Sequence, residues 1–326
     1  MKENFFKGNY GIFMHYLIKH NRASVTAEEW NEQTRSFDAE GVARQAHEVG
    51  AKWVFFTMGQ ATGHFAAPNS AFDGIAGVYP SKCSERDIPL ELYGALSKYG
   101  IKLCLYMPSE APNCPNFNWH YGKNKETGEI YTDRQADFQR KWESVIREWS
   151  MRYGERVSAW WVDSCYFADT MYNHPDEPNF RSFAAALRSG NPDALLAFNG
   201  GINVNLESIT DENDYTPGEL ATALPIDFSR FPMSVKTKNG KFPLADAPVQ
   251  YHLLCSLGKD WGHLCKTDEP RFPDALVSSY TEYILGMGGA MTWEVPVDQC
   301  SGLMNENYMR QLMLTRDRID AMGAER

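Results

Sequence analysis

Val157-Ser158-Ala159-Trp160-Trp161-Val162-Asp163-Ser164 is an apolar, aromatic and β-branched run that stops at a carboxylate. Such a run reads as a strand buried on both faces, as in parallel sheets covered by helices. A parallel barrel places its chemistry where its strands end, so Asp163 reads first as a catalytic group. The alternative is an Asp that caps the next helix or binds loop amides.

Outward from this strand the chain alternates strand-like and helix-like segments. Upstream, Gly11–Leu17, Lys52–Met58 and Ile101–Met107 read as strands one to three. Asp38 caps a helix whose apolar Val42, Ala43, Ala46 and Val49 recur at helical spacing, with Gly50 as its stop. Leu90–Lys98 is a second helix and Asp133–Tyr153 a third. Long loops follow the first three strands, and the first of them carries Glu28, Glu29 and Trp30. Downstream, Phe180–Arg188 is helical and Ala194–Asn199 is the fifth strand. Short strands are expected near 209–215 and 249–254. Asp274–Met287 is a helix, Gly289–Glu294 the eighth strand, and Asn305–Ile319 the closing helix. About eight strand–helix units favour a closed parallel barrel, so the expectation is one (β/α)8 TIM-like domain over residues 1–326.

The length of 326 residues suits such a barrel with long loops. The formal charge of −10 comes from interspersed signs with no Lys/Arg stripe, which argues against nucleic acid as a partner. No stretch is apolar for long enough to span a bilayer, and the start lacks the apolar core of a leader, so a cytoplasmic location is expected. Seven scattered cysteines without a Cys-x-x-Cys pair read as reduced thiols. Nine Trp, sixteen Tyr and eighteen Phe supply flat rings that suit sugar stacking, although rings also fill cores.

Polar groups at or just after strand ends are His15, Gln60, His64, Tyr106, Glu110, Asp163, Asn199, Glu219, His252 and Glu294. Carboxylates, imidazoles and aromatic rings on one face are equipment for splitting glycosidic bonds: one carboxylate attacks or stabilises the anomeric carbon while a second acid protonates the leaving oxygen. Metal binding is the weaker reading, because no pair falls at His-x-His or Glu-x-x-His spacing. Neither a metal nor a cofactor is expected.

These residues resemble a known family, glycoside hydrolase family 29, the α-L-fucosidases. Gly11-Ile12-Phe13-Met14-His15-Tyr16 is similar to its Gly-Ile-Phe-x-His-Trp, and Glu28-Glu29-Trp30-Asn31 to its Ala-Glu-Trp-Tyr. Gly50-Ala51-Lys52-Trp53 resembles Ala-Gly-Ala-Lys-Tyr, Glu85-Arg86-Asp87 resembles Lys-Arg-Asp, and Leu105-Tyr106-Met107-Pro108-Ser109 resembles Leu-Tyr-Tyr-Ser. Trp161-Val162-Asp163-Ser164 stands where Trp-Phe-Asp-Gly carries the nucleophile. Asp214-Tyr215-Thr216-Pro217-Gly218-Glu219 is similar to Asp-Tyr-x-Thr-Pro-Glu, and Trp261-Gly262-His263 to Trp-Gly-Tyr. The resemblance implies an exo-acting retaining hydrolase of a fucose-like terminal sugar, with Asp163 as nucleophile. It also implies His15, Trp30, Gln60, His64, Tyr106, Trp161, Glu219 and Trp293 as sugar-binding side chains.

Three departures stand out. The paired histidines of the family's Lys-His-His-Asp-Gly-Phe become Met58-Gly59-Gln60-Ala61-Thr62-Gly63-His64-Phe65. A position where many members hold the acid/base Glu holds His252. No counterpart of the family's C-terminal β-sandwich is expected within these 326 residues. The general acid is therefore open. Glu294 is preferred because it ends the eighth strand beside Trp293, whose ring would desolvate it. Glu29, His252, Glu219 and Glu110 follow. Two other readings stay open: a glycosidase for a galactose-like sugar, and a sugar-binding barrel without catalysis.

Overall fold

The computed structural model describes residues 4–18, 24–124, 126–202, 206–220, 224–226 and 233–324. Eight strands run parallel: β1 (Tyr10–Met14), β2 (Trp53–Thr57), β3 (Lys102–Pro108), β4 (Val157–Asp163), β5 (Leu195–Phe198), β6 (Glu219–Leu220), β7 (His252–Ser256) and β8 (Ala290–Glu294). They hydrogen-bond in the order β5-β4-β3-β2-β1-β8-β7-β6, a sheet curled into a (β/α)8 TIM-like fold. Between β5 and β6 no ladder forms among the described residues. There the Asp214 amide donates to Leu196 O at 2.8 Å while the Gln250 amide donates to Asp214 O at 2.9 Å, so this stretch bridges the seam.

Period-two alternation assigns each strand residue to the barrel interior or to the helix layer. Phe13, Phe55, Cys104, Tyr106, Ala159, Trp161, Ala197 and Leu254 face inward, where large rings sit beside small side chains. Phe6 closes the lower end, with its ring centroid 4.7 Å from those of both Trp53 and Tyr215. Their neighbours Met14, Val54, Leu105, Trp160 and Val162 face outward, into the larger core shared with the helices. Each such fully buried side chain contributes roughly 1.5–3 kcal/mol, so the register of β4 is held from both sides. That register decides which residue reaches the upper rim: Asp163, not Val162.

Helices α1 (Ala27–Arg35), α2 (Ala39–Glu48), α3 (Ser70–Ala76), α4 (Ile88–Ser97), α5 (Ala136–Tyr153), α6 (Ala168–Met171), α7 (Phe180–Leu187), α8 (Asp274–Gly286) and α9 (Glu306–Ala324) surround the sheet. Asp38 and Asp87 cap α2 and α4 by accepting from the amides of Gly41 and Leu90. Three expectations are corrected. The stretch carrying Glu28, Glu29 and Trp30 is helix α1 rather than loop. No α-helix follows β5 or β6 among the described residues, only a single 3-10 turn at Leu244–Asp246. The strand placed near 209–215 is instead Leu206–Ser208, which pairs with Ser234–Thr237 in a separate three-stranded sheet, while Pro217 and Gly218 cut β6 to two residues.

Candidate active site

Asp163 ends β4 at the C-terminal rim and is 8% exposed. Three donors hold its carboxylate. The Tyr106 hydroxyl donates to Oδ2 at 2.6 Å, and the Ser164 amide and Asn199 Nδ2 donate to Oδ1 at 2.7 and 3.1 Å. An ionised carboxylate offers about four acceptor positions, so these three donors leave room for one more partner. Ser164 takes a left-handed backbone at φ 65°, a conformation uncommon for a side chain-bearing residue, which turns the chain sharply beneath the carboxylate. Burial and the charge of Asp163 push the Tyr106 phenol well above its ordinary range, so it stays a donor. Gln60 Nε2 donates to the same hydroxyl at 3.0 Å, and the Trp161 ring stacks on that of Tyr106 at 5.5 Å.

Asn199, one residue past β5, is fully buried, and its Nδ2 also donates to Glu219 Oε2 at 2.6 Å. The two carboxylate oxygens therefore lie no further apart than those two bonds laid end to end. Burial first, and the neighbouring Asp163 charge second, push the Glu219 carboxyl up to about 7, against the pull of Asn199. Glu110, two residues past β3, is raised to about 7 for the same two reasons, with Ser164 opposing. Three carboxyls thus crowd one rim, and burial beside Asp163 pushes two of them up to about 7.

Beside this group lies a second, closely bonded one. Glu294 is fully enclosed and accepts from His15 Nδ1 at 3.0 Å, Ser256 Oγ at 2.7 Å and the Gly262 amide at 2.6 Å. A Cβ on Gly262 would fall 2.5 Å from Glu294 Oε1, so glycine is what lets the backbone come this close. The bond docks the Trp261-Gly262-His263 loop, bringing both of its flanking rings to within 5.6 Å of His15. Burial and then His15 lower the His263 imidazole to about 3.

The remaining candidates stand elsewhere. Glu29 is the reciprocal partner of Thr26 in the capping box that starts α1, an exposed position, and its carboxyl is lowered by the Thr26 amide. His252 begins β7 rather than ending it, so it lies toward the opposite end of the barrel from Asp163. It is bonded to Thr216 O and Thr292 Oγ1 and pushed down to about 4 by burial. Trp293 faces the helices and donates to Thr281, because its neighbour Glu294 takes the inward register. Trp30 is 1% exposed and donates to Phe65 O; His64 is buried near it and lowered to about 4 by burial and Lys82. The expected proton donors Glu294, Glu29 and His252, and the expected platforms Trp30 and Trp293, thus each stand hydrogen-bonded within the fold. Asn199 and Glu110 were visible as strand-end polar groups, but nothing local marks Asn199 as the link between two carboxyls. Among the described residues no three His, Cys, Asp or Glu gather to hold a metal ion, and no helix is long and apolar enough to cross a membrane.

The family described as Alpha-L-fucosidase matches residues 1–218. No curated protein matches in sequence. Among solved structures, an endo-fucoidan hydrolase from glycoside hydrolase family 107 superposes with TM-score 0.72 at 15% identity, over 97% of this chain and 53% of that one. An α-L-fucosidase from Lactobacillus casei in complex with α-L-fucose gives 0.62 at 17% identity, over 96% and 97%. An α-L-fucosidase from Bacteroides thetaiotaomicron, trapped as a covalent intermediate with 2-fluoro-fucosyl fluoride by a Glu-to-Gln mutant, gives 0.64 at 16%, over 97% and 73%. The chain therefore spans about half of the first of these and nearly all of the second.

Proposed function

This chain belongs to the α-L-fucosidase family of glycoside hydrolases, and we propose that it removes a terminal fucose-like sugar with retention of anomeric configuration. Asp163 is the nucleophile and Glu219 the acid/base. The observation that carries the reading is the single Asn199 amide that touches both carboxylates. A retaining pair needs carboxyls only about 5–5.5 Å apart, whereas an inverting pair needs roughly 6.5–9.5 Å to admit a water. The Asn199 bridge favours the shorter spacing.

In the first step an Asp163 oxygen forms a bond to the anomeric carbon as the bond to the leaving oxygen breaks, and Glu219 gives that oxygen its proton. In the second, Glu219 takes a proton from water, whose oxygen displaces Asp163. A carboxyl raised to about 7 suits both halves, being protonated for the first and basic enough for the second. Tyr106, Ser164 and Asn199 hold the nucleophile, while His15 and Gln60 are assigned to sugar hydroxyls. A binding barrel without catalysis predicts no carboxyl near Asp163, which the Glu219 neighbour argues against. Assay of nitrophenyl glycosides with the native protein and with Asp163→Asn tests the reading. The native protein turns over the α-L-fucoside, and the variant loses at least a thousandfold.

A further inference from the structure

His263 closes the Trp261-Gly262-His263 loop, and no step of the mechanism above uses it. Its ring centroid lies 5.3 Å from that of His15, with the planes at 52°. His15 follows β1 directly, above the inward-facing Phe13 at 4.6 Å and beside Tyr106 at 5.7 Å. Since the Tyr106 hydroxyl reaches Asp163, a single phenol ring separates the imidazoles from the nucleophile. Both are anchored from the same side. Glu294 accepts from His15 Nδ1 at 3.0 Å and from the Gly262 amide at 2.6 Å, so one carboxylate sets the positions of both rings. Its bond fixes the proton of a neutral His15 on Nδ1 and leaves Nε2 as a lone pair, with no partner among the described residues. On His263, Nδ1 is buried without a partner, and burial followed by His15 keeps the ring uncharged. A neutral imidazole carries one N–H and one lone pair. Side by side, the two rings offer an acceptor and a donor that nothing within the described residues meets.

We infer that His263 is a specificity-determining residue: together with His15 it grips one hydroxyl of the terminal sugar, and that hydroxyl must be free. The inference rests on the reading of Asp163 and Glu219 as the catalytic pair, which brings the sugar to this rim. A sugar hydroxyl donates its proton to His15 Nε2 and accepts from the His263 N–H, so a single neutral group satisfies both rings. A deoxy sugar leaves both nitrogens unmet, and the cost of unmet buried polar groups is what makes such a site selective. A sulfate ester at the same carbon has no proton for His15 and sets its charge on the same side as Glu294 and Asp163, where like charges repel.

The test compares nitrophenyl α-L-fucoside with its 2-, 3- and 4-deoxy analogues on the native protein, His263→Phe and His263→Gln. In the native protein one of the deoxy analogues loses about tenfold or more in kcat/KM, the scale of a buried polar group left without its partner. His263→Phe loses as much on the parent fucoside but at most about twofold on that one analogue, where the hydroxyl it would have held is already absent. His263→Gln, which keeps a donor and an acceptor, recovers most of the activity. The unfolding midpoint of His263→Phe stays native, because the ring nitrogen has no partner to lose. A loss in His263→Phe that is equal on all of these substrates would overturn the inference, as would native turnover of every mono-O-sulfated fucoside at the rate of the parent. If the native protein turns over no fucoside, the catalytic reading fails instead. Calorimetry with L-fucose then tests the inference separately: His263→Phe binds it about tenfold or more weakly than the native protein, and equal binding would overturn it.

Discussion

Asp163 and Glu219 are joined by one side-chain amide, Asn199 Nδ2, at 3.1 and 2.6 Å. Neither carboxyl contacts a cation among the described residues, so the amide is what holds two acidic groups together in a partly buried rim. Removing it by Asn199→Ala deletes hydrogen bonds to both groups. At roughly 1.5–3 kcal/mol for a hydrogen bond to a charged group, kcat for the fucoside falls about ten- to a hundredfold, measured by initial rates. The fold survives, since the lost contacts lie at a strand end.

Activity carries the signature of Glu219. With its carboxyl raised to about 7, the kcat/KM profile falls on the alkaline side near that value as the acid loses its proton. In Glu219→Gln that limb disappears. The loss is far greater for alkyl fucosides, which need protonation of the leaving oxygen, than for dinitrophenyl fucoside. Glu110→Gln, by contrast, leaves the ratio of the two substrates unchanged.

Stability carries the same signature with the opposite consequence. Glu110 and Glu219 rise from an ordinary 4.5 to about 7 in the folded protein, so the native state binds protons more tightly than the unfolded chain. Their stabilising contribution is complete below about pH 4.5 and is lost as pH climbs through about 7. Urea midpoints measured from pH 5 to 8 fall less steeply in the double variant Glu110→Gln, Glu219→Gln than in the native protein.

The first four strands were legible because each is a short apolar run closed by a polar residue, and alternation then fixes which side chains face inward. The second half was less so. The sixth strand is two residues long behind Pro217 and Gly218, and the chain between the fifth and seventh strands leaves the barrel to build a side sheet. The setting of Glu294 was not legible, because a carboxylate at a strand end looks the same in sequence whether it faces solvent or is saturated. Its donors come from residues 15, 256 and 262, separations that no local pattern reveals. The place of His252 turns on register, since it opens its strand instead of closing it. Glu29 could have been assigned from sequence: Thr26 followed three residues later by Glu is a capping-box signature.

Glu294 is accordingly predicted to act on the fold before the chemistry. Glu294→Ala strands the His15 and Gly262 donors, while the Ser256 hydroxyl keeps Asp260 O as an acceptor, and destabilises by roughly 3 kcal/mol or more, read as a lowered midpoint in urea. Tyr106→Phe gives the contrasting pattern. It deletes one donor to Asp163 and an acceptor for Gln60, so kcat/KM drops about tenfold, as a bond worth roughly 1.5 kcal/mol implies. The unfolding midpoint stays close to native.

The most direct measurement of the central claim is mass spectrometry after reaction with 2-fluoro-fucosyl fluoride. The account predicts one covalent fluoro-fucosyl adduct per chain, mapped by proteolysis to the peptide containing Asp163 and absent from Asp163→Asn. An adduct on another carboxylate, or undiminished fucoside hydrolysis by Asp163→Asn, would contradict it.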